Sequence, residues 1–227
     1  MMKKFIYMVA SLAFLTACHS TTTTENKAET TQATATTEQT TVTTQKSNGE
    51  ADLSLGIQMV VNKKHKLPAD YNPGENPIAG EKVRELIQKM QELGFSISNQ
   101  YSGFRSYDYQ TQLYQNYVNK DGKEAADTYS ARPGYSEHQT GLAFDILNGS
   151  GGLLGENPQD EKAIEWLHSH AHKYGFIVRF LEGKEAITGY QAEAWHLRYV
   201  GDIAEKIYTS KQTLEEYFGV EGGNYAD

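Results

Sequence analysis

The sequence predicts an α+β fold, a single domain with a central, mainly antiparallel sheet flanked by helices, and three observations carry that expectation. Val83, Leu86, Ile87, Met90 and Leu93 recur at three- and four-residue spacing, the mark of an amphipathic helix. Leu142 to Asp145 alternates with period two, so that Leu142 and Phe144 face one way and Ala143 and Asp145 the other. Helices and strands then follow one another without regular β-α-β alternation, which argues against a parallel sheet.

In chain order, Ile57–Val61 reads as a strand, and Lys66–Gly80, with three of the five prolines, as irregular chain. The helix over Glu81–Leu93 is stopped by Gly94, a suitable C-cap. Phe95–Phe104 reads as a strand, and Ser106 caps a helix over Tyr107–Asn119. Asp121–Tyr129 is a short helix. Past the strand that ends near Asp145, Asn148–Gly155 is a Gly-rich loop expected at the surface and mobile. Asp160–Tyr174 is a helix with Ala163, Ile164, Leu167 and Ala171 inward. Phe176–Phe180 and Ala194–Val200 read as strands, and Gly201–Phe218 as one or two closing helices.

The first 52 residues belong to a different class of chain. Lys3-Lys4 precede an apolar run from Phe5 to about Ala17, too short to span a bilayer and suited to a signal segment (residues 1–17). It ends in Leu15-Thr16-Ala17-Cys18, which resembles the cleavage box of bacterial lipoproteins, with Cys18 as the lipidated residue. Several acyl chains on that Cys would make a stable membrane anchor. Cys18 is the single Cys, so no disulfide framework exists and no thiol nucleophile is available. Residues 18–52 are rich in Thr, Glu, Gln and Ala, too polar to fold, and form a tether. Its reach is roughly 30 Å as a coil and roughly 100 Å drawn straight. The globular domain occupies residues 53–227. The expected location is the extracytoplasmic face of the membrane, and the expected working unit a monomer. A net charge of −8 argues against a nucleic acid partner.

Chemistry concentrates in Ser136-Glu137-His138-Gln139-Thr140-Gly141-Leu142-Ala143-Phe144-Asp145 and in Glu193-Ala194-Trp195-His196. An acid closing an apolar strand loses hydration and needs a cation or donors. Two His, one Asp and a spare Glu are the inventory of a catalytic zinc site, with three ligands, an open position and a base. His168, His170 and His172 form a competing cluster, but 170 leaves the face that 168 and 172 share, and a solvated helix face is the better reading.

The pattern Ser136-x-His138-x-x-Gly141-x-Ala143-x-Asp145 followed by Glu193-x-Trp195-His196 resembles the zinc D,D-/L,D-carboxypeptidases of bacterial peptidoglycan, the D-alanyl-D-alanine carboxypeptidase family. Ser102-Gly-Phe-Arg105-Ser106 with Gln110, Pro133-Gly134, Tyr174-Gly-Phe-Ile177 and Ile187-Thr-Gly-Tyr190 extend the resemblance over roughly Leu53–Phe218. The resemblance implies one Zn²⁺ held by His138, Asp145 and His196, with the site on the sheet. It makes Glu193 the general base, and Arg105, Gln110 and Ser136 the substrate-site residues. Arg105 suits a free terminal carboxylate, which a guanidinium binds bidentately. Glu193 and His196, three apart, share a face only if the chain turns or bulges at Glu193-Ala194. The family usually carries Pro where this chain has Ala194, so looser placement of Glu193 is expected.

The implied activity is removal of the C-terminal D-alanine from peptidoglycan stem peptides, with L,D cleavage of tetrapeptides ahead of D,D cleavage of pentapeptides. A non-catalytic wall-binding module would not need Glu193, and an endopeptidase would not need Arg105.

Overall fold

The structure, a computed structural model, describes residues 49–226. The signal segment, Cys18 and the tether as far as residue 48 lie outside the described residues. Packing begins at Ala51, just ahead of the expected Leu53: Ala51 is buried and its amide donates to Lys66 O.

Asn76 caps the first helix, α1 (Pro77–Glu92), accepting from the amides of Ile78 and Ala79 while Pro77 occupies the first turn. The helix thus starts four residues ahead of Glu81, because a proline at this position begins a helix rather than breaking one. Its apolar stripe of Val83, Leu86, Ile87 and Met90 is buried against the sheet. β1 (Ile97–Ser102) follows, then α2 (Tyr107–Asp121), where Ser106 accepts from Tyr109 N as expected. Gly122 (φ 84°) separates α2 from α3 (Lys123–Tyr129). β2 (Ala143–Asn148), α4 (Glu161–His170), β3 (Phe176–Phe180), a single turn α5 (Glu185–Thr188), β4 (Glu193–Tyr199), α6 (Ala204–Ser210) and α7 (Leu214–Phe218) complete the domain.

The four strands form one sheet in the order β1-β2-β4-β3, every neighbour antiparallel. One face carries the main core, where Phe144 meets Tyr101 and Phe176 edge-on beneath α1 and α4. Alternation sends Asp145, His196 and Arg198 to the other face, where polar side chains are buried. A second apolar cluster joins Ile177 and Val200 to Ile207, Leu214 and Phe218 of the closing helices.

Two expectations need correction. Ile57–Val61 is not a strand. Leu53–Gln58 is a 3₁₀ turn kinked at Gly56, and Met59–Val61 are buried outside the sheet. The reason lies far along the chain: Arg198 Nη2 donates to Ile57 O (3.1 Å) and Met59 O (2.6 Å), so a side chain supplies what a neighbouring strand would have supplied. The Asn148–Gly155 loop is at the surface but tied down. Asn148 Oδ1 accepts from the amides of Ser150 and Gly152, Asp160 Oδ2 accepts from Gly155 N, and Leu154 is fully buried.

Candidate metal centre and active site

Asp145 and His196 are direct cross-strand partners in the β2–β4 register. Their side chains meet on the polar face, with His196 Nδ1 at 3.1 Å from Asp145 Oδ1. His138 arrives from the 3₁₀ turn Glu137–Thr140 just before β2, its Nε2 at 3.2 Å from Asp145 Oδ2. Gly141 makes that entry possible. It ends the turn at φ 72°, and a Cβ there would strike Gly74 O. His138, Asp145 and His196 are all buried, and one donor atom from each fits within 4.8 Å of the others.

The second ring nitrogens decide which atoms are available. His138 Nδ1–H donates to Gly103 O at 2.7 Å, leaving its Nε2 lone pair directed at Asp145. His196 Nε2 stands 3.4 Å from Glu137 Oε2, leaving Nδ1 for the cluster. The Gly103 carbonyl orients the His138 ring by a hydrogen bond, and the Glu137 carboxylate lies behind the His196 ring at ion-pair distance. His138 Nε2 and Asp145 Oδ1 are buried without hydrogen-bond partners, a cost relieved by a cation. Two imidazoles and one carboxylate with space for a fourth ligand fit Zn²⁺.

Electrostatics agree with a cation site. Burial pushes His138 down to about 4, helped by the Arg105 charge. Burial alone would raise Asp145, but its contacts with His138 and His196 hold it well below the usual carboxylate range. Burial would lower His196, yet Asp145 and Glu137 raise it to about 9. Glu193 is pushed up to about 7 by burial, with Asp145 adding to the rise and His196 opposing it.

Glu193 reaches the cluster through a bulge. Val178 pairs with Leu197 and Phe180 with Glu193, so β4 spends more residues than β3 between those pairs. That irregularity lies inside the strand and puts Glu193 Oε2 at 3.6 Å from His196 Nδ1. Where a proline would have stiffened the entry, Ala194 O accepts from His168 Nε2 at 3.2 Å. The other two histidines are spent elsewhere: His170, the last residue of α4, stacks on Trp166, and His172, in the 3₁₀ turn Ala171–Tyr174 beyond it, stacks on Tyr208, so the competing cluster is dispersed.

The cluster opens into a cavity lined by Arg105, Gln110, Ser136, Tyr135, Tyr190 and Trp195, among others. The Arg105 guanidinium lies 3.8 Å from Asp145 Oδ2 and is four-fifths buried, so it pairs with the cluster rather than standing at the surface. Ser136 precedes the 3₁₀ turn without capping it, so its hydroxyl is not committed there. Gln110 lines the cavity, but its amide donates to Ala131 O at 2.7 Å, tying it to the wall.

Sequence reasoning missed Glu137. Its Oε1 accepts from Arg179 Nε and Arg198 Nη1, both at 2.8 Å, and Arg179 also forms a two-pronged pair with Glu215. All four side chains are fully buried or nearly so. The signal was present as arginines inside two apolar strands, Phe176–Phe180 and Glu193–Tyr199, since a buried guanidinium requires a carboxylate. Which carboxylate was not readable.

Comparisons with known proteins follow the same outline. Residues 74–202 match the family profile VanY, D-alanyl-D-alanine carboxypeptidase. The putative carboxypeptidase YodJ of Bacillus subtilis (strain 168) is 37% identical over 183 residues, covering 71% of this chain and 67% of that protein. The L,D-carboxypeptidase DacB from Streptococcus pneumoniae superposes with a TM-score of 0.70 at 61% identity, over 74% of this chain and 89% of that one. The vancomycin-resistance D,D-pentapeptidase VanY in complex with Zn(II) superposes with a TM-score of 0.60 at 31% identity, over 70% and 97%.

Proposed function

Because the chain belongs to the VanY family of D-alanyl-D-alanine carboxypeptidases, we propose that it is a zinc-dependent carboxypeptidase that removes the terminal D-alanine from the tetrapeptide stems of peptidoglycan, an L,D activity. The observation that carries the catalytic half is Glu193, a buried carboxylate facing a three-donor cluster at the floor of a cavity. The L,D preference is supported by 61% identity to an L,D-carboxypeptidase against 31% to a D,D-pentapeptidase.

His138 Nε2, Asp145 and His196 Nδ1 would hold the ion. Zn²⁺ bound there would supply Lewis acidity at the scissile carbonyl and lower the pKa of a water to ~7. Glu193 takes the proton from the attacking water and returns it to the leaving amine of D-alanine. Burial sets Glu193 at about 7, near neutrality, where one carboxylate can both take up and give back a proton. Arg105 grips the terminal carboxylate, aligning the last peptide bond with the cluster. Ser136 offers a hydroxyl to the same end of the peptide, and Gln110 holds the Ala131 wall.

The location belongs to the same proposal. Cys18, lipidated after loss of residues 1–17, anchors a monomeric enzyme at the extracytoplasmic face of the membrane, with the Thr-rich tether setting its reach into the wall. Among the described residues no helix is long and apolar enough to cross a membrane.

Mass spectrometry of the zinc-loaded protein with muropeptide tetrapeptide and pentapeptide tests the reading. Loss of one alanine from the tetrapeptide, abolished by chelator, is the expected result. Faster cleavage of the pentapeptide would make the enzyme D,D-specific, and cleavage of neither with zinc bound would overturn the catalytic assignment.

A further inference from the structure

The chain after α7 turns back and docks behind the cavity wall, and Tyr225 is where it makes contact. Gly223 N donates to Ile187 O at 2.6 Å, and a Cβ on Gly222 would collide with that same carbonyl, so the approach requires glycine. Tyr225 Oη accepts from Arg132 N at 2.9 Å and lies 3.4 Å from Tyr190 Oη. Its ring packs edge-on against Tyr135 (5.1 Å between centroids) and flat beneath the Arg132 guanidinium at 3.8 Å.

Lys63 closes the arrangement from beneath. Its ammonium sits 4.3 Å from the Tyr190 ring and 5.2 Å from the Tyr225 ring, and it donates to Asp127 O and Gly189 O. Lys63 therefore fastens the end of α3, the end of α5 and the returning tail to one point. Tyr135 and Tyr190, the residues buttressed in this way, both face the substrate cavity, whereas Tyr225 and Lys63 do not.

We infer that Tyr225 is a positioning residue: with Lys63 and Arg132 it fixes the Tyr135 and Tyr190 walls and so sets how the enzyme accepts the part of the peptide that precedes the scissile bond. The inference rests on the proposed carboxypeptidase reading for the identity of the ligand, and on geometry alone for the wall. Tyr225 is separated from the metal ligands and Glu193 by those walls, so its loss changes substrate fit and leaves the chemical step intact. A loosened wall costs binding of that part of the peptide, about tenfold in KM, without moving the reacting atoms.

The test compares Tyr225→Ala and Tyr225→Phe in the full zinc-loaded chain. For Tyr225→Ala, KM for the tetrapeptide rises about tenfold, kcat stays within about twofold, and zinc content is unchanged. Amide hydrogen exchange quickens in residues 131–135 and 188–191. Tyr225→Phe keeps the ring contacts with Arg132 and Tyr135 and restores most of the KM. Unchanged KM with unchanged exchange overturns the inference, as does an equal fall in kcat with loss of zinc, which would mean general destabilisation. If the parent protein cleaves neither tetrapeptide nor pentapeptide, the carboxypeptidase reading fails, and the exchange comparison still decides the role of Tyr225 in the wall.

Discussion

Glu137 Oε2 stands 3.4 Å behind His196 Nε2, and the other oxygen of the same carboxylate is held by two buried arginines. The candidate metal cluster is thereby coupled to the interior through one side chain. Removing its charge should act twice. Glu137→Gln leaves Arg179 and Arg198 undercompensated, and stability should fall by about 3–5 kcal/mol. It also removes the negative charge 3.4 Å behind the His196 ring, and zinc affinity should weaken by about 10–100-fold. Thermal melts and zinc competition titrations report the two effects separately. A normal melting temperature would remove the network from the stability of the fold.

Glu193→Gln should retain zinc while turnover falls by about 10²–10⁴-fold, since the amide cannot accept the water's proton. Zinc content and kcat, measured on one preparation, check this. Substantial residual kcat would assign the base elsewhere.

Arg105→Ala should raise KM for a tetrapeptide with a free terminal carboxylate by about 10–100-fold, the worth of a charge-assisted pair, and alter cleavage of a C-terminally amidated peptide little. Equal losses on both would mean that Arg105 does not read the terminus.

Zinc affinity should depend on pH. In the metal-free protein His196 is raised to about 9, so its contribution to folding is complete below about 6.5 and disappears as pH rises through about 9. Binding zinc through Nδ1 displaces the proton held there, and affinity should climb about tenfold per pH unit between pH 6.5 and 8.5. Competition with a chromophoric chelator across that range measures the slope. A flat profile would show that no His196 proton is displaced.

His168→Ala frees the carbonyl of Ala194 and with it the bulge that carries Glu193. Because the ligands sit on other contacts, zinc binding should persist while kcat falls by about tenfold. Replacing Ala194 by Pro in the same background should restore part of it. A kcat insensitive to both changes would make the bulge rigid on its own.

How far the sequence reaches can be traced through particular residues. His138, Asp145, His196 and Glu193 stood out because their residue types are the inventory of a zinc site and their spacing resembles that of the carboxypeptidase family. The helical stripe of α1 and the Ser106 cap were visible because each depends on neighbours within a turn of helix. Pro77 misled only at a boundary, where it starts α1 rather than preceding it.

What the tertiary structure decided lies wherever a group's partner is far along the chain. Ile57–Val61 has strand composition, yet Arg198, far along the chain, satisfies the carbonyls of Ile57 and Met59, and no strand forms. Glu137 looked like an ordinary loop acid until two strands brought Arg179 and Arg198 onto it. His168 came from a helix to steady Ala194. From the sequence came the α+β class, through local periodicity, and, through the family resemblance, His138, Asp145 and His196 as candidate donors with Glu193 beside them. Only the folded chain determined which buried charges compensate one another, since burial makes an unpaired charge too costly and the pairing partner is chosen by strand register, not by proximity in sequence.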